Sequence, residues 1–566
     1  MIKHGLSTLA WLTVCVCAFP IASVGITAIS GTLDTWTLLA DTVLPRYLLA
    51  TIQLVFWVGI GTALIGTGTA WLVAVCEFPG RRIFEVALAL PFAFPAYVLA
   101  YAYTDLLDHP GAVQTALRQW NDWGPRDYWF PEIRSLGGAA IMLILVLYPY
   151  VYLLARASFI RQSPTAYQAA RVLGRSPLSA FFTVSLPLAR PAIAGGVILA
   201  LMETVADFGT VSHFAVQTFA TGIYQAWIGM GDRSAASQLA LCLMGVAFVL
   251  IILERIERQR RSHFEAGKRI EAMPRHRLTG RRALAAIVFC AIPVLAGFVI
   301  PLLVLLEMAW DSGQNPFAER YIMFISNSLL LASTAACVTV CLAIAVGYRA
   351  RINPGKAAEF TKTIAGLGYA IPGSVIAVGV FIPFASFDNA FDAYMREAWG
   401  ISTGLLLSGS MFILLVAYAV RFMAVAISSF DTGMAQIKPT MDAAARTLGA
   451  GHGRILFGVH LPLMRASLLT GALIVFVDVM KELPATLMLR PFNFDTLAVH
   501  AYRLASDERL TQAAVPSLVI VAFGLLPVII LCRTIAMERP AHHTENVQRF
   551  DDETFVPAMA RQEAAE

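Results

Sequence analysis

The chain has 566 residues, of which 58% are hydrophobic and 14% charged, with 42 Lys and Arg against 37 Asp and Glu for a formal charge of +5. So little polar residue cannot surround a soluble core of this size, which excludes a water-soluble globular protein and leaves a polytopic membrane protein. The excess charge sits mostly in short turns, where topology and anionic lipid account for it, so no nucleic-acid partner is expected.

Taken in chain order, stretches long enough to cross a hydrocarbon core of roughly 30 Å fall near 7–29, 48–76, 84–107, 137–157, 191–213 and 238–254. Six more follow near 284–308, 321–348, 363–386, 404–427, 466–489 and 513–535. The expected fold is therefore all-α, with about twelve transmembrane helices in two tandem six-helix halves, 1–254 and 284–536. Lys3 and His4 flank the first stretch as they would in a signal peptide, but 284–308 is its internal counterpart, so the first is read as a retained span.

Between the halves, 255–283 is a basic joint, with ten Lys or Arg against three Glu over 255–282. It is read as a solvated linker. By the positive-inside rule this joint, the basic turns at Arg81-Arg82 and Arg349 to Lys362, and both termini face the cytoplasm. All eight cysteines lie in or beside apolar stretches without a CxxC pair, so neither a disulfide framework nor a cysteine metal site is expected. The tail 537–566 is polar and reads as disordered.

The two halves repeat one another. Arg46-Tyr47 precedes the second span as Arg320-Tyr321 precedes the eighth, and FPAYVLA at 94–100 has the apolar-Pro pattern of IPGSVIA at 371–377. Six spans per half give both halves the same orientation, related by an axis along the membrane normal. The clearest repeat joins QAARVLG at 168–174 to AAARTLG at 443–449, and the Leu-Pro-Leu at 186–188 to that at 461–463, all at an offset of 275. Helix formers followed by Gly174 or Gly449, then a second piece ending at Pro187 or Pro462, predict a helix, a glycine turn and a second helix over 164–190 and 439–465. An ordinary loop would not keep a Gly-to-Pro interval of 13 residues twice.

Ala-Ala-x-x-x-Gly followed by Leu-Pro resembles the EAA loop of the membrane subunits of bacterial ABC importers. The resemblance implies a type I importer fold whose loops dock in grooves of two copies of an ATP-hydrolysing subunit. In this sequence the coupling residues would be Gln168, Ala169, Ala170, Leu173, Gly174 and Pro187, then Asp442, Ala443, Ala444, Ala445, Leu448, Gly449 and Pro462. The leading acid of the motif is absent: Gln168 and Ala443 stand there, with Asp442 one place earlier. A helix in a groove is held mainly by apolar anchors, which puts the weight on Leu173 and Leu448. Wider stretches, such as ALMETVADFGTVSHF at 200–214 and KELPATLMLRPFNFDTLA at 481–498, look like the fused permeases of ferric-iron importers. That likeness implies a periplasmic iron-binding protein as partner, in a bacterial inner membrane. No phosphate-cradling GxxxxGK[ST] loop and no catalytic constellation is present, so the chain is read as a non-enzymatic subunit with no cofactor, its ATP used by a partner.

Glu203 and Asp207 fall in the fifth predicted span, and Asp478 and Glu482 fall in the eleventh at the same offset of 275. Acids four apart share a helical face, and one carboxylate at such depth costs on the order of 2.5–3.5 kcal/mol. They are expected to line a common path as an acidic ring, meeting a hard cation in transient contact. The competing reading gives them structural partners such as Lys481, Arg490, Ser212 or His213. His213 and His500 are minor candidate ligands, and 109–135, with Trp120, Trp123 and Trp129, is a candidate docking or interfacial loop. Other cargoes (thiamine, a polyamine, an anion) and an ion-gradient carrier are the alternatives.

Overall fold

The computed structural model describes residues 2–31, 33–162, 164–264, 275–315 and 318–537, and these are overwhelmingly helical. Eleven helices among the described residues are long and apolar enough to cross a membrane, and a twelfth crossing arises if one bent pair is a single span. The residues Met1–Ile529 form one compact unit that contains both halves of the repeat. The second unit, Ile530–Glu566, is described only as far as Met537 and is helical to that point; the predicted disordered tail lies outside the described residues.

Several expected spans change at proline or at an acid. The stretch 84–107 is not one helix: Arg81–Ala93 and Ala96–Asn121 meet at 92°. Pro95 cannot donate to the preceding turn, and it forces Phe94 into an extended conformation (φ −82°, ψ 130°). The second half repeats the device, with a 3₁₀ turn at Leu367–Ala370, extended Ile371 (φ −87°, ψ 125°) and a helix restarting at Gly373 after Pro372. The expected spans 191–213 and 466–489 also end early, at Ala206 and Met480. Their starts match too: a π-helical turn at Phe181–Ser185 leads into one, and another at Leu456–His460 into the other.

Each half surrenders its first helix to the other. Ile2–Ser30 packs along Glu319–Ile352 and Gly373–Trp399, with Phe19 edge-on to Phe384 at 6.2 Å and Arg349 over the Trp11 ring at 4.8 Å. In return, the span Gly280–Asp311 packs on the first half, where Tyr103 donates to the Ala296 carbonyl at 2.7 Å and Phe94 meets Phe298 at 5.6 Å. The described ends of the basic joint are both held in regular structure. The helix Arg233–Phe264 runs into it, and beyond the undescribed 265–274 the residues His276–Arg277 pair in parallel with Cys76–Glu77. Glu77 there also meets Arg81 at 3.2 Å and Arg275 at 3.4 Å.

Candidate translocation cavity and coupling turns

At the end of Leu186–Ala206 the chain stops being helical. Asp207 is extended (φ −67°, ψ 132°) and accepts from the backbone N–H of Thr210 and of Val211, both at 3.1 Å, and from the Thr210 hydroxyl at 3.0 Å. It thereby caps the short helix Gly209–His213. After Met480 the same construction recurs: Glu482 accepts from the N–H of Ala485 at 3.0 Å and of Thr486 at 2.9 Å, and from the Thr486 hydroxyl at 2.7 Å, capping Pro484–Leu489. Away from water a helix break leaves backbone donors that must be satisfied internally, and these two carboxylates satisfy them. The expectation that Glu203 and Asp207, or Asp478 and Glu482, share the face of one continuous helix is therefore corrected. Glu203 and Asp478 sit in the last turn of their helices; Asp207 and Glu482 lie beyond the end.

All four acids nevertheless line one cavity of about 120 Å³ between the halves. Its wall also carries Arg421, Lys481, Tyr97, Tyr150 and the broken segment from Phe92 to Tyr97. The ring is not purely acidic. Lys481 reaches Asp478 at 2.9 Å and lies 4.6 Å over the Phe92 ring, while Arg421 reaches Glu482 at 3.4 Å. Glu203 has no hydrogen-bond or ion-pair partner among the described residues, and its carboxylate borders the cavity. No group of three or more His, Cys, Asp or Glu among the described residues stands close enough to hold a metal ion, so the acids form a charged wall and not a chelating cage. The Tyr150 and Tyr369 side chains, one from each half, lie close to each other.

The helix that carries Glu203 begins at Leu186, roughly 26 Å away at 1.5 Å per helical residue, and the first exposed turn precedes it. There Pro164–Val172 ends at Gly174 (φ +81°), whose N–H bonds the Arg171 carbonyl at 3.0 Å, while Arg175 N–H bonds that of Ala170 at 3.1 Å. Pro439–Thr447 ends identically at Gly449 (φ +78°), with Gly449 N–H to Arg446 at 2.9 Å and Ala450 N–H to Ala445 at 3.0 Å. Both are glycine-terminated Schellman turns. They hold out Leu173, 83% exposed, and Leu448, 86% exposed. Gln168, Ala169, Ala443 and Ala444 are exposed beside them, Ala170 and Ala445 are half-buried, and Pro187 and Pro462 start the spans behind. Asp442 is instead turned inward, to Arg351 at 3.0 Å and His460 at 2.8 Å. Burial raises its carboxyl, but the hydrogen bonds from His460 and Arg351 outweigh that and hold it below the usual carboxylate range. Its counterpart Tyr167 packs on Trp71 at 6.1 Å.

The histidines leave the list of cation ligands. His213 bonds the Thr104 hydroxyl at 3.0 Å against Tyr101, and His500 lies 4.4 Å from the Phe324 ring. Arg490 pairs with Asp495 at 2.6 Å and Ser212 with Tyr502 at 3.1 Å, not with the four acids. In the loop 109–135, Trp120 and Trp129 are exposed, while Arg134 is committed to Asp108 at 3.0 Å and to Glu508 of the other half at 2.6 Å. The hydrogen bond from Arg134 holds the Glu508 carboxyl below its usual range. Sequence reasoning missed Arg421, Tyr150 and Tyr369. An Arg inside an apolar stretch was the available signal for the first; the tyrosines gave none.

A helical twofold repeat that crosses a membrane about twelve times, encloses a charged cavity and lifts one exposed turn from each half is a transport permease. Residues 59–263 match the family described as binding-protein-dependent transport system inner membrane component. That segment carries the family's domain, and over most of its length the chain is similar to ABC-importer permeases in the fused form with two halves. It is 25% identical to the Fe(3+)-transport system permease protein FbpB 2 of Haemophilus influenzae over 85% of this chain and 88% of that one. A probable ABC transporter permease of Sinorhizobium fredii is 25% identical over 93% of this chain and 95% of its own. The molybdenum transport system permease protein ModB of Escherichia coli K12 is 26% identical over 34% of this chain and 85% of its own.

Proposed function

We propose that the chain carries ferric iron across a bacterial inner membrane, received from a periplasmic binding protein and moved by alternating access. Two ATPase subunits bind the turns at Leu173-Gly174 and Leu448-Gly449 and hydrolyse the ATP, which places those turns and both termini in the cytoplasm. The observation that carries the cargo is the cavity, with four carboxylates against two bases and a hydroxyl pair nearby. Oxygen donors suit a hard, highly charged cation, and an excess of acids repels anions. The full-length similarity to a ferric permease supports the same reading. With no chelating cage, tight binding is left to the external partner and the cavity attracts and passes on. A second reading, an oxyanion such as molybdate, is favoured by Arg421 and Lys481 in the wall and by the similarity to molybdenum permeases. Uptake of radioactive iron in cells carrying the complete system decides: iron accumulation unaffected by excess molybdate is expected, and molybdate accumulation without iron overturns the cargo.

A further inference from the structure

The cavity is built by a twofold repeat, yet its two bases both come from the second half. The residue equivalent to Lys481, at the offset of 275, is Ala206, and the equivalent of Arg421 is Val146. Both of these small residues line the same cavity. The backbone around Ala206 and Lys481 is the same in the two halves. Asp207 N–H bonds Thr204 at 3.3 Å as Glu482 N–H bonds Val479 at 3.2 Å, and Phe208 (φ −118°, ψ −43°) matches Leu483 (φ −116°, ψ −55°). In the second half, Asp478 holds the Lys481 ammonium at 2.9 Å. In the first, the equivalent acid Glu203 makes no hydrogen bond or ion pair among the described residues and feels Arg421 and Lys481 only across the cavity it borders.

We propose that Lys481 is a tethered cation filling one of two equivalent anionic positions, so that the cavity takes a single mobile cation, at Glu203, in the place the ammonium takes at Asp478. This rests on the cation reading of the cargo. Each transport cycle then carries one ion. Lys481 offsets the second pair of acids, which keeps the cavity attractive without gripping the ion so firmly that it cannot leave. Arg421, drawn to Glu482, supplies the other half of that balance.

The test moves the charge from one half to the other. In cells carrying the full transport system, Ala206→Lys should place an ammonium against Glu203 and lower iron uptake by about tenfold or more, whereas Ala206→Met, of similar bulk and no charge, should lower it by no more than about threefold. The double variant Ala206→Lys with Lys481→Ala exchanges the filled and open positions and should recover most of the loss. Melting of the detergent-solubilised proteins, read alongside, reports folding. Equal losses for Lys and Met at position 206, or a well-folded double variant no better than Ala206→Lys, overturn the tethered cation while leaving the iron cargo standing. Failure of the unaltered protein to take up iron, with molybdate taken up instead and spared by Ala206→Lys, overturns both.

Discussion

Asp207 and Glu482, 275 residues apart, each turn a carboxylate onto the backbone three and four residues ahead and so start a new helix inside the membrane region. They differ in one respect. Glu482 also meets Arg421, while Asp207 makes its cap and no ion pair among the described residues. The acids of this cavity therefore divide by what each would leave behind if neutralised.

Glu482→Gln should strand the Arg421 guanidinium, 13% exposed, and weaken the cap, costing about 3–5 kcal/mol. Glu203→Gln breaks no hydrogen bond or ion pair among the described residues, so melting of the solubilised protein should stay put while iron uptake falls sharply. The two variants measured side by side by thermal melting and by uptake check this. Equal drops in melting would show that Glu203 is a structural residue.

Leu173→Asp and Leu448→Asp should each abolish recovery of the ATPase subunit in a pull-down and leave melting unchanged, because both side chains project from the chain at more than four-fifths exposure. Loss of melting would place these leucines in the fold and not in a docking surface.

At Gly174 and Gly449 the space is open: an added Cβ meets nothing within 4 Å. What a side chain meets instead is the left-handed backbone, at about 1–2 kcal/mol. Gly174→Ala and Gly449→Ala should loosen the turn and cut transport with the protein still inserted, and Asn, which tolerates this backbone better, should restore part of it. The outcome is read by uptake per membrane-inserted protein; Ala and Asn behaving alike would remove backbone conformation as the cause.

The two repeated turn elements are seated by different chemistry, so acid should separate them. The folded carboxyl of Asp442 lies below its unfolded value, so its contribution is present above the unfolded pKa and lost as pH falls through the folded one. Asp442→Asn should mimic that loss at neutral pH, at about 1–3 kcal/mol, and raise amide exchange over 439–450. Exchange over 164–174, where Tyr167 packs on Trp71, should not change. A rise in both segments would contradict this seating.

One more pair shows how the repeat diverged. Glu85 and Arg156 form a buried ion pair in the first half, and at offsets of 277 and 275 the second half places Lys362 and Asp431 2.5 Å apart. The polarity is reversed. Glu85→Lys or Arg156→Asp alone should cost about 3–5 kcal/mol. The double swap should recover part of this in melting, but not all, because Arg81 stands 3.6 Å from Glu85 and would face a second base.

Much of the molecule is legible in the chain because it is carried by local pattern. Apolar length gives most of the spans, and the duplicated Ala-Ala-x-x-x-Gly gives the two Schellman turns. The glycine is readable because only the left-handed residue that ends such a turn calls for it. Less legible are the helix breaks at Asp207 and Glu482. An acid on the periodic face of an apolar stretch and an acid that caps a new helix have the same spelling, and only the backbone turn distinguishes them.

The sequence by itself determined a membrane protein of two like halves, with paired acids and a repeated helix-glycine-helix element in each half, since composition and repetition need no knowledge of contacts. The tertiary structure alone decided which half each first helix joins, that Tyr150 meets Tyr369, and that Arg421 crosses 61 residues to Glu482. It also decided that Lys481 pairs with Asp478, while Glu203 borders the cavity with no ion pair among the described residues. Those are matters of packing between segments distant in the chain, and an apolar helix has many apolar neighbours of nearly equal merit. Burial of a charge next to its one available partner is what selects among them.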